Sequence, residues 1–168
     1  MADRFSAEIT IGGRIPLELL DELVGVVETE GLGVEWGVAG LDKSEIRQVI
    51  VEAAQNGRTA RFVDDQACYG WFEDLESWLT ANGVDFDRYN ECRYEYEAQN
   101  VYGRGSKQPV VFTADQEGVN LVYVRKLRKV LTGGGQPTGK LKRIAKLIRT
   151  PSELGPIVLV DASREEHE

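Results

Sequence analysis

Apolar and polar residues alternate cleanly near the start of the chain. Phe5, Ala7, Ile9 and Ile11 fall on one side of an extended segment, and Arg4, Ser6, Glu8 and Thr10 on the other. That two-residue period predicts a half-buried strand, ended by Gly12 and Gly13. The period then becomes helical, with Leu20, Leu23, Val24 and Val27 on one face. Pro16 suits the first turn of that helix, Glu18, Asp21 and Glu22 favour its positive end, and Gly31 suits its stop. After a short extended stretch, GVEWGV, a second helix starts at Asp42. Asp42 stands three residues before Glu45, as a capping box requires, and Ile46, Val49, Ile50 and Ala53 form the buried stripe ahead of Asn56-Gly57. TARFVDD reads as another strand. GWFEDLESWLTANG is a third helix, with Phe72, Leu75, Trp78 and Leu79 inward and Gly83 just past its end.

A long extended stretch follows, VDFDRYNECRYEYEAQNVYG, in which Tyr94, Tyr96 and Ala98 alternate with Arg93, Glu95 and Glu97. KQPVVFTA is its expected hairpin partner, and Pro109, which has no N–H to give a neighbour, places that strand near an edge. Two helices come next, over roughly 119–131 and 138–149, separated by a glycine-rich loop, and PIVLVD is the last strand. The expected order is β-α-β-α-β-α-β-β-α-α-β. Alternation in the first and fourth strands leaves one sheet face polar, whereas a sheet covered on both sides has continuously apolar strands. The prediction is therefore a single α+β domain over 1–168, with two layers and a mixed β-sheet carrying helices mainly on one face. The fully apolar IVLV is expected centrally, and the charged tail over 162–168 is expected to fray.

Composition adds a little. With 42% hydrophobic and 29% charged residues in 168, the chain has ordinary globular content. No apolar run is long enough to span a bilayer, and the first residues lack the sections of a signal peptide. Cys68 and Cys92 have no metal-ligand spacing and are expected as free thiols in a reducing cytosol, which makes the expected location cytoplasmic.

Charge distribution changes the picture more. The chain carries −8 overall, yet residues 119–150 hold nine Lys and Arg and no acid, so the remainder carries −17. On the first of the two helices there, Arg125, Arg128 and Lys129 share a face; on the second, Lys142, Lys146 and Arg149 recur at helical spacing with Arg143 and Lys140 nearby. Leu141, Ile144, Ala145 and Ile148 form the opposite stripe, expected to face the core. A hairpin of these helices merges their polar faces into one cationic strip able to hold several phosphates or carboxylates. Asn and Gln are scarce there, which argues against reading of bases. The competing expectation is that the acidic body neutralises the strip internally.

The loop between the helices, GGGQPTGKL, matches a phosphate-loop template from Gly134 to Lys140. Such a loop needs a strand leading into the glycines and a hydroxyl after the lysine. Here Val124, Leu127 and Leu131 lead in at helical spacing and Leu141 follows, so a hinge is expected and neither nucleotide nor another cofactor.

Other chemistry is poorly supplied. His167, the one histidine, is next to last, which leaves serine or cysteine nucleophiles without a credible base. Cys68 follows Asp64 and Asp65, which oppose thiolate formation, and is expected buried or inert. Trp36, Trp71 and Trp78 are expected in the core. Tyr89, Tyr94, Tyr96 and Tyr102, with Arg88, Arg93 and Arg104 among them, read as sheet packing, with a recognition surface as the alternative. The functional expectation is a non-enzymatic binding or regulatory protein that holds an acidic protein or a nucleic-acid backbone through the basic helical pair. The alternative is a small metal-dependent enzyme using Asp85, Asp87, Glu95 and Glu97, whose spacing puts each pair on one strand face.

Overall fold

The alternating residues at the start of the chain lie on an interior strand of a seven-stranded sheet. The structure, a computed structural model, describes residues 3–38, 40–93 and 96–161. Strand β1 (Arg4–Pro16) pairs antiparallel with β2 (Ala60–Cys68) on one side and β3 (Asp85–Asn90) on the other. Beyond β3 come β4 (Gln99–Gly103), β5 (Val110–Ala114) and the two-residue β6 (Asn120–Leu121), all antiparallel. β7 (Ile157–Val160) pairs parallel with the last residues of β1, which makes the sheet mixed. The helices are α1 (Leu20–Glu30), entered through a 3₁₀ turn at Leu17–Leu19, α2 (Lys43–Gln55), α3 (Glu73–Ala81), α4 (Val124–Thr132) and α5 (Pro137–Ile148). This is the expected α+β architecture.

Register explains why the core forms where it does. Ile9 stands opposite Phe62 of β2, and Ile11 lies between Ala60 of β2 and Phe86 of β3, all on the inner face. α1, α2 and α3 cover that face with Leu23, Val27, Ile46, Ile50, Leu75 and Leu79, which are fully buried. Each such side chain contributes roughly 1.5–3 kcal/mol relative to exposure. The Asp42–Glu45 capping box is present, both of its hydrogen bonds measuring 2.9 Å. Gly31 ends α1 at φ 70°. α3 has no cap of its own; Glu30, from the end of α1, accepts hydrogen bonds from the Asp74 and Leu75 N–H groups at 3.1 and 3.2 Å.

Several local expectations give way. Gly12 and Gly13 do not end β1. They turn it toward β7: a Cβ on Gly12 would lie 2.2 Å from the Gly155 carbonyl, and the Gly13 N–H donates to the Gly155 and Pro156 carbonyls. IVLV is not central either, because only Ile157 is buried and β7 flanks the tail of β1 alone. GVEWGV contributes one bridge, Gly33 to Val63, before Gly37 turns the chain at φ 76°. The stretch after residue 84 divides into β3 and β4 about an Arg93–Tyr96 bridge. Residues 120–121 form strand instead of opening a helix, with the Asn120 side chain bonded to Asn100 and Tyr102. Trp36 and Trp71 are exposed, and Trp78 alone of the three packs on the core. Cys68 and Cys92 are free thiols as expected, but Cys68 is exposed, not buried. Tyr94, Glu95, His167 and the 162–168 tail lie outside the described residues.

Candidate functional site

The cationic segment folds as two short helices that contribute nothing to the core. No residue of α4 or α5 is buried. Leu127, Val130, Ile144 and Leu147 are half-buried, whereas Val124, Leu131, Leu141 and Ile148 are 55–67% exposed. Of the stripe expected to face the core, Leu141, Ala145 and Ile148 are exposed and Ile144 alone is half-buried. α1, α2 and α3 close the inner face over the first strands of the sheet, whereas Val111 and Leu121, on the same face of β5 and β6, stay 56% and 45% exposed, so α4 and α5 leave that part largely open. They pair with each other beside the β5–β6 edge. A cavity of about 400 Å³ between hairpin and edge is lined by Val111 and Leu121 from the sheet side and Lys126, Lys146 and Leu147 from the helices.

The hairpin is tethered at its base. The Tyr123 hydroxyl donates to Glu97, whose other oxygen accepts from Thr113 at 3.4 Å. That bond to the carboxylate holds the phenol above its usual pKa. Arg125 and Lys126 stack over the Tyr123 ring at 5.1 and 5.6 Å, so Lys126 joins the strip although its spacing did not single it out. Lys140 has a structural role: its ammonium donates to the Leu131 carbonyl at 2.8 Å and caps α4. Arg125, Arg128, Lys129, Lys142, Arg143, Lys146 and Arg149 are all exposed. Among the described residues, no cation of this hairpin forms an ion pair with a carboxylate. Internal neutralisation by direct pairing is thus absent from the described structure.

The glycine loop is entered from α4, not from a strand. The Gly133 N–H caps α4 on the Lys129 carbonyl at 3.1 Å, and α5 begins at Pro137, so Gly139 and Lys140 lie within a helix.

The described carboxylates of the metal reading each hold another partner. Asp85 accepts from the Gly105 N–H at 2.7 Å, and Asp87 pairs with Arg104 at 2.6 Å. Glu97 holds Tyr123 and Thr113, and Glu95 lies outside the described residues. No group of three metal-ligating side chains occurs among the described residues. The interleaved arginines serve the fold: buried Arg88 pairs with Glu76 at 3.0 Å, and Arg104 donates to the Ser152 carbonyl at 2.8 Å. Burial raises the Glu76 carboxyl and lowers the Arg88 guanidinium from their ordinary pKa values. Tyr102 packs edge-on against Phe112, in keeping with sheet packing.

The chain matches no protein-family model, no curated protein and no solved structure. Among the described residues no helix is long and apolar enough to cross a membrane.

Proposed function

We propose that the protein is a non-enzymatic binding module whose α4–α5 hairpin captures an acidic, amphipathic protein segment. One observation carries the reading: a strip of cations without carboxylate partners runs beside an exposed apolar stripe on the same two helices. A partner that supplied phosphates alone would leave Val124, Leu131, Leu141 and Ile148 in water. A segment with acidic and apolar residues satisfies both features, in the manner of a helix laid on a groove. The −17 carried by the rest of the chain also disfavours long-range approach to nucleic acid.

The test uses fluorescence anisotropy with three probes: a designed Leu/Glu amphipathic peptide, random-sequence DNA as duplex and single strand, and vesicles rich in anionic lipid. The reading expects micromolar binding of the peptide, weaker and steeply salt-dependent binding of DNA, and loss of peptide binding when Arg125, Arg128, Lys142 and Lys146 are all changed to Glu. Tighter binding of DNA or vesicles than of peptide replaces the partner class. No binding of any probe in low salt overturns the proposal.

A further inference from the structure

Beside the start of β4, where Gln99 also lines the hairpin cavity, the turn after β2 builds a small aromatic enclosure. Phe5, Tyr69, Trp71 and Tyr96 line a cavity of about 320 Å³, together with Asn90 and Glu97. Phe5 is buried at 2% exposure, while Tyr69, Trp71 and Tyr96 are 39%, 51% and 37% exposed. The rings are mutually inclined: Phe5 and Tyr96 lie 5.6 Å apart at 34°, Tyr69 and Tyr96 6.0 Å apart at 50°. No lysine or arginine lines the cavity, and its one ionic side chain is the Glu97 carboxylate.

The backbone goes to some trouble to place these rings. Tyr69 has φ 55°, the one non-glycine residue at positive φ among those described. For a residue with a Cβ that conformation costs about 1–2 kcal/mol, and strain of this kind gathers at ligand sites. It is held from several directions. The Tyr69 N–H donates to the Asp3 carbonyl at 2.8 Å, and the Trp71 N–H to the Cys68 carbonyl at 3.1 Å. Gly70, at φ 70°, sits so close to the floor that a Cβ there would lie 2.7 Å from both Phe5 and Asn90. Buried Arg88 donates to the Gly70 carbonyl at 3.1 Å from beneath, its charge met by Glu76. The backbone that carries Tyr69 and Trp71 is therefore held in place by the fold, which lowers the ordering cost of binding.

We infer that this enclosure is a binding site for an alkylated ammonium group. Several aromatic faces around one volume attract a cation through their negative π-faces, best when the cation carries methyl groups and sheds water easily. Glu97 adds a carboxylate at the rim, and the surrounding body is acidic. A neutral apolar group fits the same walls but gains nothing from either charge effect. The ammonium has two possible sources, a free choline-like molecule or a methylated lysine side chain on a peptide.

Calorimetric titration at constant ionic strength separates these. The probes are tetramethylammonium, choline, the neutral choline isostere 3,3-dimethylbutan-1-ol, and a peptide carrying trimethyl-lysine or plain lysine. The inference expects saturable binding of at least one methylated cation at millimolar concentration or below, and the neutral isostere weaker by about tenfold. Choline binding assigns the free-molecule source; binding confined to the trimethyl-lysine peptide assigns the protein source. Trp71→Ala and Tyr69→Leu should each weaken the cation by about tenfold while thermal melting shows the fold intact. Equal affinity for cation and isostere, full affinity in both variants, or no methylated cation bound at tens of millimolar would overturn it.

Discussion

Gly70 and Gly57 share a left-handed backbone, at φ 70° and 61°, and little else. A methyl group on Gly57 meets nothing within 4 Å, whereas on Gly70 it strikes Phe5 and Asn90. Gly57→Ala should therefore cost only about 1 kcal/mol, from backbone strain partly offset by a less flexible unfolded chain. Gly70→Ala adds overpacking and should cost about 3 kcal/mol. Urea unfolding of both variants measures the gap, and equal losses would contradict the close packing beneath the aromatic enclosure. Glu30 offers a second residue-scale test. Burial, the largest influence, raises its carboxyl above the ordinary 4.5, with Asp74 and Glu76 adding to the rise and the Leu75 and Asp74 N–H groups opposing it. The folded chain then holds a proton on Glu30 more readily than the unfolded chain. Its contribution is fully present below pH 4.5 and is lost as pH rises through the folded value. Unfolding curves at a series of pH values should show wild type gaining on Glu30→Gln as pH falls toward 4.5. An advantage that grows with rising pH would reverse the sign and refute the account.

Among the elements, those with one strict period and clear end signals could be read from sequence. β1 alternates, α1 and α2 carry core stripes, and Asp42 with Glu45 marks a helix start; each has the structure its pattern requires, although β1 runs on past its expected end at Gly12 and Gly13 to Pro16. The failures share a physical cause. A stripe of apolar residues at helical spacing shows that a face needs covering, but not what covers it, so α4 and α5 look like core helices although none of their residues is buried. The same ambiguity applies to IVLV, whose continuous apolar run suggested a strand buried on both faces, although Val158 is 48% exposed. The glycine loop was legible for the converse reason: helical spacing through Val124, Leu127 and Leu131 ruled out an entering strand. The cationic strip was readable because charge needs no fold to be counted. The aromatic enclosure was not, since Phe5, Tyr69 with Trp71, and Tyr96 come from three distant segments brought together by β1 pairing with β2 and β3. Its local trace, a tyrosine and glycine at a strand end, is common to many ordinary turns.

At the scale of the whole molecule, the chain divides its tasks between an acidic body that contains the core and a cationic hairpin outside it. That division makes stability and partner capture separable. Changing Val124, Leu131, Leu141 and Ile148 together to Ser removes the apolar stripe from side chains that are at least 55% exposed. Each change should alter stability by no more than about 0.5 kcal/mol, since little burial is lost and Ser differs only modestly in helix propensity. Leu75→Ala, in contrast, empties a fully buried site beneath α3 and should cost about 2–5 kcal/mol. The two proteins should then show opposite profiles. The fourfold Ser protein keeps a melting temperature near wild type and loses the Leu/Glu peptide, while the Leu75→Ala protein melts earlier and, below its transition, still binds. Because the four serines leave all nine cations in place, lost peptide binding would also distinguish an amphipathic partner from a purely anionic one. If the serine protein instead melts as early as Leu75→Ala, the stripe belongs to the core and the hairpin is not a free surface.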